Sequence, residues 1–81
     1  MRGDWLFVPD RESAGAFVRT RRVANGLTQR QLGELAGVGT RFVSELERDK
    51  ATLRLDAVNA VLGVFGKRLG VVDAHREDEE G

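Results

Sequence analysis

The sequence predicts an all-α domain of four or five helices that ends in one short β-strand. Apolar residues recur at helical spacing in four successive stretches between residues 10 and 66. A glycine follows three of these stretches, as is typical of helix ends. With 81 residues and no cysteine, the chain has room for one domain and cannot form a disulfide, so we expect a second subunit to help stabilise it.

The first helix follows Pro9, the only proline of the chain. Either Asp10 or Ser13 can cap its N-terminus with a side-chain oxygen. Its core side carries Ala14, Phe17 and Val18. Asn25-Gly26 ends the helix, because glycine readily adopts the left-handed conformation found there.

The second helix begins after Thr28, whose hydroxyl can cap it and whose partner in a capping box is Gln31. The spacing predicts a buried stripe made of Leu32, Leu35 and Ala36. Gly37 ends this helix after about two turns.

A third helix starts at Thr40 and carries its apolar residues at Phe42, Val43 and Leu46. We expect Asp49 to take the bend that follows, because aspartate tolerates left-handed geometry better than most residues.

The fourth helix precedes Gly66 and places five apolar residues on one stripe, namely Leu55, Val58, Val61, Leu62 and Phe65. Residues 67–72 then alternate in polarity and predict a strand. A single strand needs a partner for its amides and carbonyls. The same strand of a second subunit is the simplest partner, and Trp5–Val8 is the rival.

Charge divides the chain into a basic body and an acidic end. Residues 1–72 hold twelve of the thirteen Lys and Arg residues, but eight of the thirteen Asp and Glu residues. We therefore divide the chain into an N-terminal arm (1–9), a folded domain (10–73) and a disordered acidic tail (74–81). A basic body favours a nucleic-acid partner, and the alternative is surface charge that serves solubility alone.

No sign of catalysis, metal binding or membrane insertion is present in the sequence. His75 stands alone in the tail without neighbouring ligands, and no triad or carboxylate pair is recognisable. The chain has no signal-peptide pattern and no apolar run of about 20 residues. We predict a cytoplasmic protein without cofactor or enzymatic activity.

Three glycines within "GELAGVG" allow two interpretations, a phosphate-binding loop or the turn between two helices. A phosphate-binding loop needs a preceding strand, whereas the preceding "TQRQLGELA" favours a helix. Two helices joined by about three residues have the spacing of a helix-turn-helix, whose second helix enters the major groove of DNA. We favour this second interpretation.

The segment "RRVANGLTQRQLGELAGVGTRFVSELERDK" resembles the lambda-repressor-like, Xre-type helix-turn-helix family. The similarity extends over residues 13–73, where the fourth helix and short strand are most like HipB-type antitoxins. The chain departs from the family pattern at Gly33, where Ala is usual, at Gly39, where Ser or Thr usually caps the third helix, and at Asp49, where Gly is usual.

The resemblance implies that Thr40, Arg41, Ser44 and Glu45 face base edges. Arg41 can donate to both acceptors of a guanine, and Thr40 can contact a thymine methyl group or a phosphate. Glu45 can accept from a cytosine or pair with Arg41 or Arg48. The implied contacts to the DNA backbone come from Thr28, Gln29, Arg30, Gly39, Arg48 and Lys50.

The resemblance also implies a structural ion pair and a dimer. Arg22 and Glu47 would join the first helix to the end of the third. Dimer contacts would come from Phe65, Leu69, Val71 and Val72. One recognition helix per subunit predicts a near-palindromic operator on double-stranded DNA.

By the same resemblance, the chain is an autoregulating antitoxin that binds a HipA-like kinase toxin and associates with the nucleoid. Two alternatives remain. One is a stand-alone regulator, such as a restriction-modification controller or a phage-type repressor. The other is a protein-interaction adaptor that has lost DNA binding.

Overall fold

A computed structural model describes residues 13–71 and 73, and this part of the chain contains four α-helices. Helix α1 spans Ala14–Ala24, α2 spans Gln29–Ala36, α3 spans Thr40–Glu47 and α4 spans Leu55–Val64. Helix α3 packs against α1 and α2, and α2 also packs against α4. The predicted all-α class is confirmed.

Side-chain caps start the first two helices. The Ser13 hydroxyl accepts from the Ala16 amide at 3.0 Å, so Ser13 caps α1, while Asp10 lies outside the described residues. Thr28 Oγ1 accepts from the Gln31 amide at 3.0 Å, and Gln31 Oε1 accepts from the Thr28 amide at 2.8 Å. The predicted capping box is therefore present at the start of α2.

The predicted bends are also found. Gly37 ends α2 with a φ of 76°, in the left-handed region. Asp49 adopts a φ of 59° and is the one non-glycine residue with positive φ in the described part of the chain. Its bend brings the Lys50 amide to the Glu45 carbonyl at 3.1 Å and ends α3.

The core lies where the four helices meet. It consists of seven buried side chains, namely Val18, Leu32, Val43, Leu46, Val58, Val61 and Leu62. Phe17 and Phe65 pack against it and meet edge to face, with ring centroids 6.4 Å apart. This pair joins α1 to the end of α4.

Two residues assigned to apolar stripes are not buried. Leu35 is 63% exposed, so its place in the buried stripe of α2 was wrong. The buried face of α2 is formed by Leu32 and Gly33. Leu35 lies three residues after Leu32, on the side of the stripe away from Gly33, where no other part of the described chain covers it. Leu55 is 69% exposed because it is the first residue of α4 and extends beyond the core.

Close backbone approaches require two glycines inside helices. A Cβ atom at Gly33 would lie 2.7 Å from the Val38 carbonyl oxygen, so the turn after α2 packs directly on this residue. At Gly15, a Cβ atom would overlap the Leu46 carbonyl oxygen and approach Asp49 Oδ1 at 2.6 Å. Gly15 sets the crossing of α1 over α3, and its buried position was not predicted.

Residues 67–71 form no strand within this single chain. The Leu69 amide instead donates to Asn59 Oδ1 at 2.7 Å and ties the segment to α4. Val72, the rival partner Trp5–Val8 and the acidic tail lie outside the described residues, as does the N-terminal arm. A strand that pairs with a second subunit stays a prediction, because a ladder needs a partner that one chain does not supply.

Candidate nucleic-acid interface

Helices α2 and α3, with the turn at residues 37–39 between them, form the candidate interface. Leu32 of α2 and Val43 of α3 are fully buried and hold the two helices together. Gly39 has extended backbone angles, φ −77° and ψ 158°, and starts α3 without a side-chain cap. Gly39 is exposed and a Cβ atom there would point into open space, so the N-terminus of α3 lies at the surface.

Helix α3 has one face in the core and the other in solvent. Val43 and Leu46 are buried on the core face. On the outer face, the Arg41 side chain is 91% exposed, Thr40 is exposed, and Ser44 is half-buried. A helix that reads the major groove needs a free polar face of this kind.

The Glu45 carboxylate is held by two cations at the edge of this face. Oε2 lies 3.3 Å from Arg41 Nε and 3.4 Å from Lys50 Nζ, and the side chain is only 18% exposed. Partial burial raises the pKa of Glu45, but Lys50 and Arg41 lower it, and the net result is a pKa below its usual value. The carboxylate is therefore charged at neutral pH.

Lys50 was not predicted as a partner of Glu45. The sequence suggested Arg41 or Arg48, because these residues share helical spacing with Glu45. Lys50 reaches Glu45 because the left-handed Asp49 reverses the chain after α3. Arg48 is exposed at the end of α3.

The N-terminus of α2 provides a second polar surface. Within the described residues, the backbone N–H groups of Gln29 and Arg30 have no acceptor, as is usual in a first helical turn. The Arg30 side chain is 80% exposed and lies 3.4 Å from Glu34. Thr28 accepts a capping hydrogen bond but keeps its hydroxyl proton to donate. These donors suit an anion.

An ion-pair network fixes the position of α2 and α3. Arg22 Nε donates to Glu47 Oε2 at 2.6 Å, and Nη2 donates to Oε1 at 3.1 Å. The two side chains are 15% and 5% exposed. The hydrogen bond to Glu47 raises the pKa of Arg22 and outweighs the opposing effect of burial, so the guanidinium stays charged.

Two further groups complete this network and were not predicted in it. Arg22 Nη1 donates to the Leu27 carbonyl at 2.9 Å, and Gln29 Nε2 donates to Glu47 Oε1 at 3.1 Å. Gln29, expected to contact phosphate, thus also links α2 to α3. Its amide nitrogen retains a second N–H that can reach another acceptor.

Other kinds of site are not found in the described part of the chain. No group of three or more His, Cys, Asp or Glu side chains is placed to hold a metal ion there. None of the four described helices has the length and apolar character that a bilayer crossing requires.

Comparison with known proteins also identifies a helix-turn-helix. A family model described as helix-turn-helix matches residues 18–72. The chain is 38% identical over 58 residues to an uncharacterised HTH-type transcriptional regulator, y4mF, of Sinorhizobium fredii (strain NBRC 101917 / NGR234). That match covers 72% of this chain and 76% of the relative. The chain belongs to the lambda-repressor-like, Xre-type helix-turn-helix family of DNA-binding transcriptional regulators.

Proposed function

We propose that the protein is a homodimeric repressor that recognises a specific DNA sequence through α3. The observation that carries this proposal is the division of α3 into a buried face and a free polar face with Arg41 at 91% exposure. The guanidinium of Arg41 can donate to both major-groove acceptors of a guanine, and Thr40 and Ser44 lie on the same outer face.

Backbone contacts would position α3 in the groove. A phosphate can bind at the N-terminus of α2, where the N–H groups of Gln29 and Arg30 are open and Thr28 can donate its hydroxyl proton. Gly39 at the start of α3 brings the backbone itself close to the DNA. Arg48 and Lys50 supply positive charge beyond the other end of α3.

Dimerisation would use the segment that follows α4. Leu69 and Val71 are 38% and 102% exposed, so both apolar side chains are available to pack against a second subunit. The Leu69 amide donates inward to Asn59, so in an extended segment the amides of Arg68 and Gly70 point outward. That outward edge is the one that would pair with a second subunit, together with Val72. Phe65 at the end of α4 packs edge to face against Phe17, and this contact holds the start of the segment against the core.

The biological role that we propose is an antitoxin of the HipB type. Such a protein acts in the cytoplasm, associates with the nucleoid, represses its own operon and binds a HipA-like kinase toxin. The segment after α4 and the cluster of acidic residues at 73–80 support this role. A kinase-like reading frame next to this gene, and co-purification of its product, would test it.

One observation favours a second candidate, an adaptor that has lost DNA binding. Gly39 leaves α3 without a hydroxyl that could cap the helix and contact a phosphate. The adaptor predicts weak binding without sequence preference, whereas a repressor prefers its operator by orders of magnitude.

Selection of bound sites from a random DNA library tests the repressor. We expect a near-palindrome, and we expect Arg41→Ala to lose preference at one base pair of each half-site, a loss of about 1 to 3 kcal/mol in discrimination. Arg30→Ala is the control, because it removes an exposed positive side chain beside the proposed phosphate site, which should weaken binding to all sequences and lower the salt dependence. An unchanged site preference in Arg41→Ala would show that Arg41 does not read bases.

A further inference from the structure

An apolar groove lies between the start of α1, the loop after α3 and the start of α4. Its volume is about 230 Å³, and its apolar walls are formed chiefly by Ala14, Leu46, Leu53, Leu55, Val58 and Leu69. The exposed residues Thr40 and Arg41 on the outer face of α3 take no part in it. The proposed base contacts therefore do not account for this groove.

The groove exposes apolar side chains that the other described residues do not cover. Leu55 is 69% exposed and Leu69 is 38% exposed, and they line the same groove as the buried residues Leu46 and Val58. Burial of apolar surface is favourable by about 25 cal/mol for each Å² removed from water. A groove of this kind calls for an apolar occupant.

We propose that the groove binds the segment Trp5–Val8 of the same chain. The sequence of this segment is Trp-Leu-Phe-Val, four consecutive apolar residues. It precedes α1, and Ala14 and Gly15 at the start of α1 form one wall of the groove. The segment is therefore attached to the chain at the edge of the groove that would hold it.

The connection is long enough for this arrangement. Five peptide units separate Val8 from Ser13, and an extended chain covers about 3.3 to 3.6 Å per residue. The segment can thus turn back from Ser13 and reach Leu55 and Leu69. A short covalent connection also gives the segment an effective concentration in the millimolar range, far above that of an external partner.

The volume of the groove suits aromatic side chains. A protein cavity of about 150 Å³ lined by apolar residues takes up benzene, so about 230 Å³ has room for an aromatic ring. Trp5 and Phe7 are the aromatic residues of the segment. Trp5 carries the larger of the two rings, and we assign the groove to its indole, whose burial against Leu55 and Leu69 would cover apolar surface on both sides.

Trp5 is the only tryptophan of the chain and reports on its own environment. In the full-length protein, we expect its fluorescence to be shifted to the blue relative to the denatured chain and to be protected from acrylamide quenching. Leu55→Asp should shift the emission to the red and abolish the protection, because a carboxylate in the groove opposes burial of the indole.

Leu35→Asp is the matched control. Leu35 is 63% exposed, close to the value for Leu55, but it lies on α2 and does not line the groove. It should leave the emission and the protection of Trp5 unchanged. Far-UV circular dichroism verifies that both variants are folded, which their exposed positions favour.

A second measurement does not depend on fluorescence. In the Trp5→Ala variant, the methyl NMR signals of Leu55 and Leu69 should shift, because they lose the ring current of the indole. Red, fully quenched emission of Trp5 in the native protein would overturn the proposal, as would methyl signals that do not respond. Protection that is lost on dilution together with the dimer would instead assign the groove to a second copy and would also overturn it. None of these results depends on DNA binding.

Discussion

At the scale of single residues, Glu45 shows how the structure changes the meaning of a candidate contact. The sequence allowed Glu45 to accept from a cytosine or to pair with a neighbouring arginine. In the structure its carboxylate lies between Arg41 and Lys50, at 3.3 and 3.4 Å. A base contact by Glu45 would have to displace these two cations. We therefore propose that Glu45 orients the Arg41 side chain instead of contacting a base.

This arrangement predicts an acid-dependent loss of stability. Because the pKa of Glu45 is lowered from 4.5, its charge stabilises the fold above about pH 4.5 and this contribution disappears as the pH falls through the lowered pKa. Glu45→Gln should therefore flatten the dependence of the unfolding free energy on pH in this acidic range. Urea titrations of both proteins at several pH values measure the effect.

Glu34→Gln provides the control for this experiment. Glu34 also pairs with an arginine four residues away, Arg30, at 3.4 Å, but its side chain is 66% exposed. Water screens such a pair, so its removal should change the acid dependence much less. Equal effects of the two substitutions would contradict a special role of Glu45.

At the scale of helices, the crossing of α1 over α3 depends on a residue without a side chain. Gly15 is buried, and a Cβ atom there would meet the Leu46 carbonyl oxygen. This obstacle is backbone rather than a flexible side chain, so it cannot move without displacing the end of α3. The candidate interface is thus positioned partly by a glycine on another helix.

We predict that Gly15→Ala destabilises the protein by about 1 to 3 kcal/mol, despite the higher helix propensity of alanine. Gly63→Ala is the matched control, because Gly63 lies inside α4, is exposed and has open space around its Cα position. There we expect a gain of about 0.5 kcal/mol. Thermal and urea unfolding of the two variants give the comparison, and a stabilised Gly15→Ala protein would refute the close crossing.

At the scale of the whole molecule, one polar network connects three helices. Arg22 on α1 binds Glu47 at the end of α3, and Gln29 at the start of α2 binds the same carboxylate. Arg22 also binds the Leu27 carbonyl before α2. The angle between the two helices of the helix-turn-helix is therefore fixed from outside the motif as well as by Leu32 and Val43 within it.

A double-mutant cycle tests this connection. For Arg22→Met and Glu47→Gln, we expect a coupling energy of about 1 to 3 kcal/mol, because each single change leaves a partly buried group without its partner. The Arg54–Asp56 pair has a similar separation, 2.7 Å, but its side chains are 80% and 68% exposed. Its coupling should be much smaller. An Arg22–Glu47 cycle with no coupling would mean that the pair does not set the geometry.

Local sequence signals predicted much of the fold and part of the site. Caps and bends depend on residues close in the chain, and so the capping box of Thr28 and Gln31, the turn at Gly37 and the bend at Asp49 were all predicted. Helical spacing likewise identified the buried Val43 and Leu46 of α3 and left Arg41 on the opposite face.

Only the tertiary structure decided which apolar residues are covered and which charges meet. Leu35 and Leu55 fit helical stripes, but their exposure depends on where other helices lie. Gly15 is required by the backbone of α3, and Lys50 reaches Glu45 after the chain has reversed. Helical periodicity specifies the direction of a side chain about its own axis, whereas burial and ion pairing depend on distances between segments that are remote in sequence.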